Sequence, residues 1–163
     1  MRIHIFTDGS SRGNPGPGGY GIIMWVEGTQ YSKEFSEGFR LTTNNRMELL
    51  AVIIGLEKLT KLNQEVIITT DSKYVADAVT KKWVFGWEKK QFKDKKNPDL
   101  WMRFLKVYRK HKVQFNWVKG HNEHPQNERC DYLATQAAQQ EKLKIDTYYE
   151  KFEKDSTSSF LKL

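Results

Sequence analysis

Hydrophobic and polar positions change period several times along the chain, and each change marks a new element. Ile3 to Thr7 is β-branched and aromatic and then meets Asp8-Gly9-Ser10, a pattern that predicts a buried strand ended by a turn. Gly13-Asn14-Pro15-Gly16-Pro17-Gly18-Gly19 predicts a loop, being dense in the two residues that break regular structure. Tyr20 to Val26 predicts a second strand. After Glu27-Gly28-Thr29, Tyr31, Lys33 and Phe35 alternate with Ser32, Glu34 and Ser36 in a third.

From Asn45 the period becomes helical. Met47, Leu50, Ala51 and Ile54 share one face, and Leu49, Ile53 and Leu56 widen it, which predicts a largely buried helix. Val66-Ile67-Ile68 is continuously apolar and predicts a strand covered on both faces. Short helices are expected over Ser72 to Val79 and Leu100 to Lys110. Val113-Gln114-Phe115-Asn116-Trp117 alternates as a half-exposed strand does. A last helix from about Asn127 sets Cys130, Leu133, Ala134, Ala137 and Ala138 on its apolar face. The succession β-β-β-α-β-α-β-α specifies an α/β layer fold with a mixed sheet.

Composition narrows the picture. The 163 residues suit a single domain with a core of its own, and no apolar run approaches the roughly 20 residues of a membrane span. Asp8 stands where a secretory apolar region would lie, so neither export nor a membrane is expected. Cys130 is the only cysteine, which rules out an internal disulfide and a thiolate-rich metal site and suits a reducing, cytoplasmic setting. The formal charge of +7 favours polyanions as partners. Its distribution is uneven: residues 81–96 hold seven lysines against Glu88 and Asp94, interleaved with Trp83, Phe85, Trp87 and Phe92. Some of those aromatics are expected in the core, as is Trp101.

Two strands end alike, in Thr7-Asp8-Gly9 and Thr70-Asp71-Ser72. As sheet neighbours, about 4.8 Å apart, Asp8 and Asp71 would repel each other unless a cation lay between them. Oxygen ligands favour a hard ion such as Mg²⁺ or Mn²⁺. Glu48 opens the buried helix and Asp131 borders the apolar stripe of the last one. Singly, each acid has a plainer reading: Asp71 as a cap for the helix at Ser72, Asp8-Gly9 as a turn, Glu48 in a capping box opened by Asn45, Asp131 as a solvated helix residue. Gly16-Pro17-Gly18-Gly19-Tyr20-Gly21 matches G-x-G-x-x-G, but a strand follows it, so no dinucleotide site is expected. His121 with His124 is weak support for zinc beside a lone cysteine.

Four stretches, in order, resemble the motifs of type 1 ribonuclease H: Thr7-Asp8-Gly9-Ser10 with Gly13 to Gly21, Thr42-Thr43-Asn44-Asn45-Arg46-Met47-Glu48, Thr70-Asp71-Ser72-Lys73-Tyr74-Val75, and Val118-Lys119-Gly120-His121 with Asn127-Glu128-Arg129-Cys130-Asp131. The resemblance covers residues 1–142, leaving 143–163 as a tail that frays or docks locally. It implies a five-stranded mixed sheet with three antiparallel strands, flanked by helices. It implies that Asp8, Glu48, Asp71 and Asp131 bind two Mg²⁺ ions, with Mn²⁺ as a substitute, Asp8 bridging the ions and His121 carrying protons. The implied reaction cuts the RNA strand of an RNA·DNA hybrid to leave 5′-phosphate and 3′-hydroxyl ends.

The same resemblance sets Asn14, Asn44 and Asn45 along the strand to be cut, where amides suit a 2′-hydroxyl, and Thr43 and Asn97 near a DNA phosphate. Lys73 stands where the family pattern has glutamine, which puts its 2′-hydroxyl role in doubt. Residues 81–99 resemble the basic handle of bacterial members, with Trp83, Trp87, Lys89 and Lys90 as contacts to the hybrid. A monomer is expected. Two other readings stay open at this point: a catalytically silent hybrid-binding module and a DNA-cutting, integrase-like domain.

Overall fold

Five strands form one mixed sheet in the order β3-β2-β1-β4-β5, described over residues 1–120 and 124–154 of a computed structural model. Strands β1 (Ile3–Ser11), β2 (Gly16–Val26) and β3 (Ser32–Thr42) are antiparallel neighbours. Strands β4 (Glu65–Thr70) and β5 (Lys112–Trp117) extend the sheet in parallel from β1. The helices are α1 (Asn44–Glu57), α2 (Lys73–Thr80), α3 (Trp83–Lys89), α4 (Pro98–Tyr108) and α5 (Pro125–Ala138). This is the expected α/β architecture. None of the helices among the described residues is long and apolar enough to cross a membrane.

Helix α1 lies between the sheet and α4, so ten of its fourteen residues are buried, as the widened apolar face predicts. Its Met47, Leu50 and Ile53 meet Ile5, Ile22, Val66 and Ile68 from the sheet in the main core. Helix α5 covers the other face over β1, β2 and β3. It does not extend over β4, and Ile67 is therefore half-buried where burial on both faces was expected.

Two expected breaks are continuous strand. Asp8 and Gly9 pair with Gly21 and Tyr20, and β2 already begins at Gly16. The glycines serve close packing here. A β-carbon on Gly21 would lie 2.3 Å from the Cys130 carbonyl oxygen, and one on Gly19 would lie 2.5 Å from that of Ala134. Composition alone reads such residues as loop, whereas α5 resting directly on the backbone makes them strand. The caps differ too. Thr43 caps α1, accepting the Arg46 N–H, and Ser72 caps α2, accepting the Val75 N–H, so Asn45 and Asp71 are released from those plainer roles.

Beyond residue 142 the described segment, which ends at Lys154, packs on the body. Lys144 bridges to Phe39, and a π-helical turn over Tyr149–Glu153 buries Tyr149. Residues 155–163 lie outside the described part. What holds this segment is Arg46, only 2% exposed. Its guanidinium donates two bonds to Asp146, two to Asp99 and one to Asn97. Glu153 stands 3.9 Å away. Such planar, bidentate pairing is what makes a buried guanidinium tolerable. Replacing Arg46 by Met takes the bidentate cation from Asp99 and Asp146. Arg46→Met is expected to cost about 3–5 kcal/mol in urea unfolding, far more than removal of the exposed Arg103–Glu57 pair, at about 0–1 kcal/mol.

Candidate active site

The parallel register of β1 and β4 pairs Phe6 with Thr69, and two residues further on Asp8 and Asp71 emerge side by side. Helix α1 starts against the same strand end. A β-carbon on Gly9 would lie 2.3 Å from the Glu48 nitrogen, so only glycine lets strand and helix approach this closely. The Gly9 N–H donates to the Glu48 carboxylate across that contact. One oxygen each from Asp8, Glu48 and Asp71 lies within 4.8 Å of the others. Asp131 enters from α5 and completes an open cleft of about 440 Å³, also lined by Asn44, Asn45, Lys73 and Tyr74.

Asp8 and Glu48 are 6% and 5% exposed. Burial, then the charges of Asp71 and Asp131, push the Asp8 pKa up to about 8, against a hydrogen bond with Glu48 that lowers it. Glu48 is raised well above the usual carboxylate range by burial first and by Asp8 second. Like charges gathered in a poorly solvated place repel, and protons relieve the repulsion when nothing else does. A donor set made only of carboxylate oxygens, converging at this spacing, fits a hard divalent cation that would take the place of those protons.

The other expected site residues fall into three groups. Asn44 and Asn45 face the cleft, and the Asn14 side chain accepts the Asn44 N–H at 3.0 Å, tying the Gly/Pro segment to the start of α1. Thr43 spends its hydroxyl on the helix cap. Asn97 is directed inward: it is 5% exposed, accepts from Arg46 and donates to the Tyr74 hydroxyl. The third group is the handle. Trp83 is 48% exposed, while Trp87 is half-buried with its ring edge-on to Trp101, 5.7 Å between centroids. Trp83, Trp87 and Lys90 line a cleft of about 700 Å³ together with Lys82, Lys93 and Lys95. Lys89 is exposed at the end of α3, outside that lining. The Lys95 ammonium sits 5.0 Å over the Trp87 ring.

His121 lies outside the described residues. His124 caps α5, accepting the Asn127 N–H at its Nδ1, which commits one ring nitrogen to the fold. Sequence reasoning missed Tyr74, Trp117 and Gly120 at the site. Trp117 had a legible signal, as the last residue of an alternating strand whose partner ends in Asp71.

An acid whose folded pKa lies above its unfolded value binds more protons folded than unfolded between the two. Stability therefore falls as pH rises through that window, here from about 4 to about 8 for Asp8. In EDTA, urea unfolding is expected to show lower stability at pH 8 than at pH 5. Asp8→Asn should stabilise the cation-free protein at pH 8 by about 1–3 kcal/mol and flatten that slope. A variant no more stable than the parent would mean the carboxylates do not repel as described.

The ribonuclease H family profile matches residues 1–139. A ribonuclease H of Desulforamulus reducens is 53% identical over 149 residues, 88% of this chain and 92% of that one. Among solved structures, LC9-RNase H1, a type 1 enzyme with the type 2 active-site motif, aligns with a TM-score of 0.75 at 32% identity, over 84% of this chain and 72% of that one. LC11-RNase H1, solved in complex with an RNA/DNA hybrid, aligns with a TM-score of 0.61 at 27% identity, over 83% of this chain and 96% of that one. With its carboxylates gathered where β1 and β4 end beside α1 and α5, and with relatives matching nearly its whole length, the chain belongs to the type 1 ribonuclease H family.

Proposed function

We propose that the protein is an endoribonuclease that hydrolyses the RNA strand of RNA·DNA hybrids with two divalent ions, Mg²⁺ in the first place, leaving 5′-phosphate and 3′-hydroxyl ends. The observation that carries this reading is the meeting of Asp8, Glu48, Asp71 and Asp131 in one cleft between the amide-bearing start of α1 and the rest of the sheet edge. A related enzyme caught with an RNA/DNA hybrid supports the substrate class.

Asp8, central to the cluster, would hold the ions together with Glu48, Asp71 and Asp131. When bound, the ions supply Lewis-acid stabilisation of the attacking and leaving oxygens of an in-line displacement. Asn44 and Asn45 present amides, donor and acceptor at once, to 2′-hydroxyls of the strand lying over the carboxylates. Asn14 holds them there through its bond to the Asn44 backbone. His121 is assigned the proton transfer, since an imidazole titrates near neutrality. The handle, with Trp83, Trp87, Lys89 and Lys90, engages the partner strand through phosphate neutralisation and packing on sugar. Thr43 and Asn97 act at most through the segments they brace.

Labelled hybrid, duplex DNA and duplex RNA, each incubated with Mg²⁺ or EDTA, test this reading. Cutting of the hybrid alone, and only with Mg²⁺, is expected; cut duplex DNA would move the protein to another branch of nuclease chemistry. Asp8→Asn should lower cutting at least about 10³-fold while hybrid binding in EDTA survives.

A second outcome concerns the handle. Neutralising Lys89, Lys90 and Lys93 together should weaken hybrid binding and reduce the slope of log affinity against log salt by about two to three. An unchanged slope would remove the handle from the phosphate contacts.

A further inference from the structure

The β4–β5 ladder ends at the Thr70–Trp117 pair, and Val118 N–H donates to the Thr70 carbonyl at 3.0 Å. The next carbonyl along β4 is that of Asp71, beyond the reach of strand pairing. It takes its bond from a side chain: the Trp117 indole N–H donates to it at 2.9 Å. Gly120, three residues on, is packed so tightly that a β-carbon there would lie 2.8 Å from Asp71 Oδ2. The last residue of β5 thus bonds the Asp71 backbone, and Gly120 packs closely against its carboxylate.

The outer face of the same indole carries a charge. Lys73 Nζ lies 5.0 Å from the Trp117 ring centroid, and Lys73 also lines the carboxylate cleft. Lys73 is the first residue of α2, where the helix dipole disfavours a cation. Helix stability does not explain a lysine there. The cation–π contact offsets that cost and fixes where the ammonium stands.

We propose that Trp117 is a positioning residue of the active site: its N–H fixes the turn that aims Asp71, and its ring holds Lys73 at the cleft wall as a phosphate contact for the strand being cut. The inference rests on the hybrid-cleaving reading and assigns Lys73 a charge contact, where the family pattern has an amide. Trp117 does this from the surface, being 42% exposed, so its replacement need not disturb the core.

The test compares Trp117→Phe, Trp117→Ala and Lys73→Gln in the full chain, well below all melting temperatures. Calorimetric Mg²⁺ titration, hybrid binding in EDTA across a salt series, and steady-state kinetics are measured for each. Trp117→Phe keeps a ring but loses the donor. Mg²⁺ affinity and kcat should both fall about five- to tenfold, as for one lost hydrogen bond, with KM little moved. Lys73→Gln should raise KM and reduce the salt slope by about one phosphate contact. Trp117→Ala should show both effects, and adding Lys73→Gln to it should weaken hybrid binding no further. Unchanged Mg²⁺ affinity in Trp117→Phe, or an unchanged salt slope in Lys73→Gln, overturns the proposal. If the parent protein binds hybrid but cuts none, the enzymatic reading fails, and the calorimetric and salt-series results still decide Trp117 and Lys73.

Discussion

Four carboxylates gathered in one cleft repel one another, and the fold must hold them together against that repulsion. Two of them, Asp8 and Glu48, are nearly out of contact with water, which strengthens the effect. A loop scaffold would relax and let them part. Here Asp8 is paired with Gly21 inside the β1–β2 ladder, and Glu48 is the fifth residue of a helix buried on most sides. The energy comes from elsewhere in the molecule, chiefly the apolar contact of α1 with β1, β2, β4 and α4.

Arg46 shows how the same helix meets the electrostatic problem at its other face. Two positions before Glu48, it directs a cation away from the cleft into a pocket of acids from α4 and the C-terminal segment. The guanidinium therefore cannot neutralise the carboxylates, and the cleft keeps its appetite for an added cation. The arrangement also links distant parts of the chain. Asn97 accepts from Arg46 and donates to Tyr74, whose hydroxyl also receives the Trp101 indole N–H, and Tyr74 in turn borders the cleft. The beginning of α1, the end of the handle and the C-terminal segment are thereby locked in one network.

The parts of this structure that follow from local periodicity were legible in the sequence: the burial of α1, the alternation of β5, the apolar stripe of α5. So were the four acids, because their surrounding motifs occur in order. What was illegible depends on contacts between remote residues. Gly16 to Gly19 reads as loop until Ala134 is seen against it, since no local signal says that a helix will rest on a bare backbone. Asp146 and Glu153 sit in a polar stretch that resembles a fraying end, yet remote residues order them: Arg46 and Thr42 bond Asp146, and the Asn97 N–H donates to Glu153. Asn97 was expected near a phosphate through the family resemblance, and no local signal announced its bonds to Arg46 and Tyr74.

Charge is divided in a way that composition cannot express. The chain is basic overall, yet its cleft is acidic and its lysines crowd the handle. A nucleic acid approaching such a surface is drawn to the handle and turned away from the carboxylates. At physiological salt both fields decay over about 8 Å, so the two regions act nearly independently. On the proposed function, cations at the cleft therefore do more than assist chemistry: they remove a local barrier to seating the strand. On that reading affinity resides mainly in the handle, and the reacting phosphate settles once the cleft has been neutralised. Binding and cutting are thus separable by the same physical fact that makes the carboxylates hard to assemble.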